Sequence, residues 1–78
     1  MKRIAITLRL RIEVEDDRIV VTLPGTTFHV IYRKPNDARR LVRIALQADK
    51  TAGISQGDFL ARARRIANDK ARELGWIV

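Results

Sequence analysis

The chain has 78 residues, enough for one small domain spanning residues 1–78 and too few for a large catalytic architecture. Apolar residues make up 46% and charged residues 32%, which is too apolar for a disordered basic tail, so the chain is expected to fold. Sixteen Lys and Arg against nine Asp and Glu leave a net charge of +7, which points to an acidic partner, while the absence of cysteine excludes disulfides and thiol chemistry and suits a reducing cytoplasm.

The N-terminus Met1-Lys2-Arg3 opens like a signal peptide, but Arg9 and Arg11 interrupt the apolar run that should follow. No stretch approaches the roughly 20 apolar residues that span a bilayer, so a soluble protein without membrane partners is expected. From Ile4 to Val14 the even positions are Ile, Ile, Leu, Leu, Ile and Val, and the odd ones are mostly polar or charged. That period of two predicts a strand with one face on a core. Asp16-Asp17 breaks the pattern, and Ile19, Val21 and Leu23 then alternate with Arg18, Val20 and Thr22 to give a second strand. After the turn signal Pro24-Gly25, Phe28, Val30 and Tyr32 alternate with Thr27, His29, Ile31 and Arg33 in a third.

Register follows from the same alternation, because a slip of one residue turns a whole apolar set to water. A two-residue turn at Asp16-Asp17 sets Glu15 opposite Arg18, Val14 opposite Ile19 and Ile12 opposite Val21. In the second hairpin a loop of two or four residues keeps Phe28, Val30 and Tyr32 on the face of Ile19 and Val21.

Pro35-Asn36-Asp37 ends the third strand. Ala38, Leu41, Val42, Ala45 and Leu46, spaced by three and four, predict a short helix before Ala52-Gly53, with an irregular loop as the alternative. A second helix over about 56–74 is marked by Ser55 and Asp58 in a capping-box spacing, by Ile54 placed to staple on Phe59, and by Gly75 at the C-terminus. Its apolar stripe is Phe59, Leu60, Ala63, Ile66, Ala67, Ala71 and Leu74. Asp58 with Arg62 and Arg65 with Asp69 read as pairs four apart on that helix. The predicted fold is therefore α+β: a three-stranded antiparallel meander with one face covered by a C-terminal helix and a shorter preceding helix, in the order βββαα.

Candidate chemistry is sparse. His29 is the only histidine; it falls on the outward face of the third strand without a base, nucleophile or metal partner beside it. Small ribonuclease toxins that use one strand histidine make an enzymatic reading conceivable by fold analogy, although they begin with a helix and this chain begins with a strand. Glu13, Glu15, Asp16 and Asp17 cluster at the first turn without the glycine-bearing spacing of a calcium loop, so no metal or cofactor is expected.

The positive charge is uneven. Residues 33–50 carry six basic and two acidic groups, whereas residues 1–18 carry five and four and residues 51–78 carry five and three. Arg33 and Lys34 at the end of the third strand, followed by Arg39, Arg40, Arg43 and Lys50 around the first helix, would form one stripe able to neutralise phosphates, giving a log-log salt slope of about −3 to −5. The alternative is a solvated helix face. The sheet face carrying Arg9, Arg11, Arg18, Thr22, Thr27, His29 and Arg33 is a second candidate, because β-ribbons also read DNA grooves. Phe28, Tyr32, Phe59 and Trp76 are all used by core stripes or the helix cap, which disfavours base stacking. The leading expectation is a non-catalytic nucleic-acid-binding module. Behind it stands an interaction module for an acidic protein or for a second copy, through an edge formed by Ile4, Ile6 and Leu8, with a small ribonuclease using His29 third. The rival cover for that edge is the tail Trp76-Ile77-Val78 folded back beside it.

Overall fold

The computed structural model describes residues 9–77. The elements are β1 (Arg11–Glu15), β2 (Arg18–Thr22), β3 (His29–Arg33), β4 (Val42–Gln47) and α1 (Gln56–Glu73), and the strands form one antiparallel sheet in the order β1-β2-β3-β4. The fold is α+β with four strands and one C-terminal helix, where the sequence reading placed three strands and two helices.

The first two hairpins have the expected register. Glu15 faces Arg18, Val14 faces Ile19 and Ile12 faces Val21, while Ile19 faces Tyr32 and Val21 faces Val30. Asp16 takes the first turn at φ 54°, in the left-handed region that a short polar side chain tolerates. In the second, Leu23 N–H donates to the Phe28 carbonyl at 3.3 Å, leaving Pro24, Gly25, Thr26 and Thr27 as a four-residue loop. The expected first strand begins at Ile4; its part before Arg9, with the proposed edge residues Ile4, Ile6 and Leu8, lies outside the described residues.

The predicted first helix is replaced by β4. Val42 faces Arg33, Arg43 faces Tyr32, Ala45 faces Ile31, Leu46 faces Val30 and Gln47 faces His29, with a bulge that leaves Ile44 without an opposite residue. The physical reason is tertiary. As the third strand of a three-stranded sheet, β3 would present a bare row of backbone donors and acceptors, which β4 satisfies. The β-branched Val42 and Ile44 suit a strand, and Asp49 ties its end to the neighbouring hairpin, its carboxylate accepting from Thr27 N–H at 2.9 Å.

α1 begins and ends as read. The Ser55 hydroxyl accepts from Asp58 N–H at 3.1 Å, and Ile54 is half-buried against the core that contains Phe59. At the other end Gly75 has φ 78°, Trp76 N–H donates to the Ala71 carbonyl at 2.8 Å and Gly75 N–H donates to the Arg72 carbonyl at 3.0 Å. The helix lies over β2 and β3. Ala63, Ala67 and Ala71 are fully buried, and their small side chains let the helix approach the sheet closely. At its start Phe59 stacks on Phe28 with ring centroids 4.7 Å apart. Ile19, Val21, Val30 and Tyr32 complete the core. Half-buried Trp76 and Ile77 line a recess with Lys34, Asn36, Ala38 and Arg39; the rival placement of the tail beside Ile4, Ile6 and Leu8 involves residues outside the described ones.

Candidate functional site

Register assigns every paired strand residue to a face. Toward the helix run two cross-strand rows, Ile12–Val21–Val30–Leu46 and Val14–Ile19–Tyr32–Arg43. On the opposite, open face run Arg11–Thr22–His29–Gln47, Glu13–Val20–Ile31–Ala45 and Glu15–Arg18–Arg33–Val42. The open face thus carries three arginines and two glutamates. Arg33 is also held by Asp17, Nε to Oδ2 at 2.8 Å, an exposed bond whose guanidinium keeps the Asp17 carboxyl below its ordinary value. Among the described residues, three basic groups against three acidic ones leave this face without excess charge. His29 sits on it between Thr22 and Gln47, half-buried, on the outward side as expected. Among the described residues no group of three or more His, Asp and Glu converges on a metal-sized site.

The basic stripe expected over 33–50 depended on a helix there, and the structure spreads its members apart. Arg33 is paired on the open face. The Lys34 ammonium donates to the Pro35 carbonyl at 3.1 Å, and Arg39 and Arg40 are exposed between β3 and β4. Arg43 lies on β4 facing Tyr32, and Lys50 follows the far end of that strand, roughly 20 Å along the chain at strand rise. Arg9, expected beside Arg11 on the open face, precedes β1 and lines a cleft on the helix side.

That cleft, of about 790 Å³, brings Arg9 and Leu10 against Asp58, Ala61, Arg62, Arg65 and Ile66 of α1. The expected pairs of Asp58 with Arg62 and of Arg65 with Asp69 do not form. Instead Asp69 pairs with Arg72 at 3.1 Å and Glu73 with Lys70 at 3.2 Å, so the acidic residues of the helix's second half are engaged there. Arg9, Arg62 and Arg65 are exposed and have no carboxylate within ion-pair distance among the described residues. On the other flank Arg64 lies over the Tyr32 ring, its guanidinium carbon 5.8 Å from the centroid. Burial raises the Tyr32 phenol above its ordinary value, and the Arg64 and Arg43 charges pull in the opposite direction.

The helix-side surface therefore gathers Arg9, Arg62 and Arg65 along one flank of α1 and Arg64 and Arg43 along the other. The run Arg62-Ala63-Arg64-Arg65 was the available signal. In the total charge of residues 51–78 Asp58, Asp69 and Glu73 offset that run, although Asp69 and Glu73 are paired with Arg72 and Lys70. Fold and surface together define a four-stranded meander backed by one arginine-bearing helix. No family model, curated protein or solved structure matches the chain. No helix among the described residues is long and apolar enough to cross a membrane.

Proposed function

We propose that this protein is a non-catalytic module that binds nucleic acid through its phosphates, with little sequence preference, using Arg9, Arg62 and Arg65. The observation that carries the reading is the gathering of Arg9, which precedes β1, with Arg62 and Arg65 near the middle of α1 around one cleft, without a paired carboxylate among the described residues. Guanidinium groups match phosphate oxygens with their planar fork. An α-helix fits the major groove of a duplex, whose width is about 12 Å. Arginines on the outer helix face then reach phosphates on the groove walls. Phe28, Tyr32 and Phe59 are buried and Trp76 is half-buried at the helix end, so stacking on single-stranded bases contributes little.

Binding is tested by fluorescence anisotropy with labelled DNA and RNA duplexes of several sequences across a salt series. Three neutralised phosphates give a log-log salt slope of about −3. The double variant Arg62→Glu, Arg65→Glu weakens binding on every sequence, whereas Arg39→Glu, Arg40→Glu changes it far less. Absence of wild-type binding at low salt, or equal loss in the two double variants, refutes the assignment.

A further inference from the structure

The sheet ends at β4, whose outer edge has no strand beside it among the described residues. Because α1 lies over β2 and β3, the helix-side flank of β4 opens into a cleft of about 570 Å³ lined by Tyr32, Arg43, Gly57, Leu60, Ala61 and Arg64. Gly57 and Ala61 leave room on the helix wall. Arg43 and Arg64 bracket Tyr32, and neither guanidinium has a carboxylate within ion-pair distance among the described residues. Apolar surface accompanies them: Ile44 is 46% exposed, and Leu46 and Leu60 are half-buried.

Unpaired backbone groups, two cations and alternate apolar side chains are what an extended acidic segment would complement. We propose that the β4 edge and this cleft form a strand-addition site for an acidic peptide segment of a partner protein. The added strand pairs along Ala45–Gln47, where the register of β4 with β3 is regular, and ends beyond the bulge with a carboxylate between Arg43 and Arg64. Its alternate apolar side chains cover Leu46 and Leu60. Bidentate contact between an arginine fork and a carboxylate fixes its orientation.

Other occupants fit less well. A nucleic-acid backbone gains nothing from Ile44, Leu46 and Leu60, and Tyr32 is too deeply buried, at 2% exposure, to stack on a base. A second copy pairing through its own β4 adds more Arg43 charge and no carboxylate. The chain's first eight residues carry Lys2 and Arg3 and no acid, so they cannot neutralise the pair either. The site is independent of the nucleic-acid reading, since it uses the other flank of α1.

The test uses the full chain and two end-capped peptides, one alternating Glu and Val and the other Lys and Val, followed by backbone amide NMR and hydrogen exchange. Saturable binding of the Glu-Val peptide is expected, with slowed exchange of the amides within Ala45–Gln47 that are not already bonded to β3. Affinity falls about tenfold or more in Arg43→Glu, as for loss of one charge-assisted hydrogen bond, and is unchanged in Arg62→Glu, Arg65→Glu. Arg43 is exposed, so folding should survive; Arg64→Gln provides the same reading if it does not. Equal binding of the Lys-Val peptide, or Glu-Val binding without β4 protection, overturns the proposal. So does protection, in the peptide-free protein, of the β4 amides that point away from β3, whether it rises with concentration, which indicates a second copy, or does not, which indicates the chain's own segment.

Discussion

Asp49 does more for this fold than its place in a loop suggests. One carboxylate oxygen accepts from Thr27 N–H at 2.9 Å, and the other accepts from Thr51 N–H at 2.9 Å and from its hydroxyl at 2.7 Å, so a single side chain joins the second hairpin to the end of β4. These bonds favour the charged form and hold its carboxyl below the ordinary aspartate value of 3.8, as the Arg33 bond does for Asp17. A lowered folded-state value makes the stabilisation complete above the unfolded value and lost as pH falls through the folded one. Thermal stability should therefore decline on acidification below about pH 4. The double variant Asp17→Asn, Asp49→Asn should show a flatter acid limb in thermal melts, and an unchanged limb would remove these two groups as its source. None of this was visible in the sequence, because Asp49 and Thr27 are far apart along the chain and meet only once β4 forms.

Elements with their own local signals were legible, and the one without them was not. Ser55 and Gly75 bracket α1 with chemistry that belongs to helix ends, and strict alternation marked β2 and β3 and set their register. β4 has no such alternation. Its bulge inserts Ile44 into the period of two, and the remaining apolar residues fall at spacings that also fit a helix. Ile44 was the discordant residue: in the helical reading it stands apart from the apolar stripe formed by Ala38, Leu41, Val42, Ala45 and Leu46. The alanine line of α1 raises a different point. Since Ala63, Ala67 and Ala71 are completely buried against the sheet, the fit between layers depends on small side chains. Ala67→Leu should cost about 1–3 kcal/mol by overpacking, measured by urea denaturation. A change below about 0.5 kcal/mol, the usual range for surface substitutions, would mean that the layers are looser than described.

At the scale of the whole molecule, the two sides of the sheet differ in electrostatic character, and charge totals along the chain could not reveal this. Positions two apart in a strand share a face, whereas charges separated by more than fifty residues meet on one flank of the helix, as Arg9 meets Arg62 and Arg65. Among the described residues, the open face balances Arg11, Arg18 and Arg33 against Glu13, Glu15 and Asp17, while the helix side retains arginines that no carboxylate engages. If long-range attraction to a polyanion came simply from the net charge of +7, a charge reversal anywhere would weaken binding alike. If contact on the helix side governs it, position should matter more than total charge. The comparison is between Arg11→Glu, Arg18→Glu on the open face and Arg62→Glu, Arg65→Glu on α1, which change net charge equally. In anisotropy titrations near physiological ionic strength, where screening acts over about 8 Å, the open-face pair should retain most duplex affinity and the wild-type salt slope. The helix pair should lose affinity and about two units of slope, one for each phosphate no longer neutralised. Equal losses would return the interaction to undirected attraction, and a greater loss from the open face would move the interface to the row containing His29. His29→Ala added to each background separates that case further, since it should leave duplex binding unchanged if the open face takes no part.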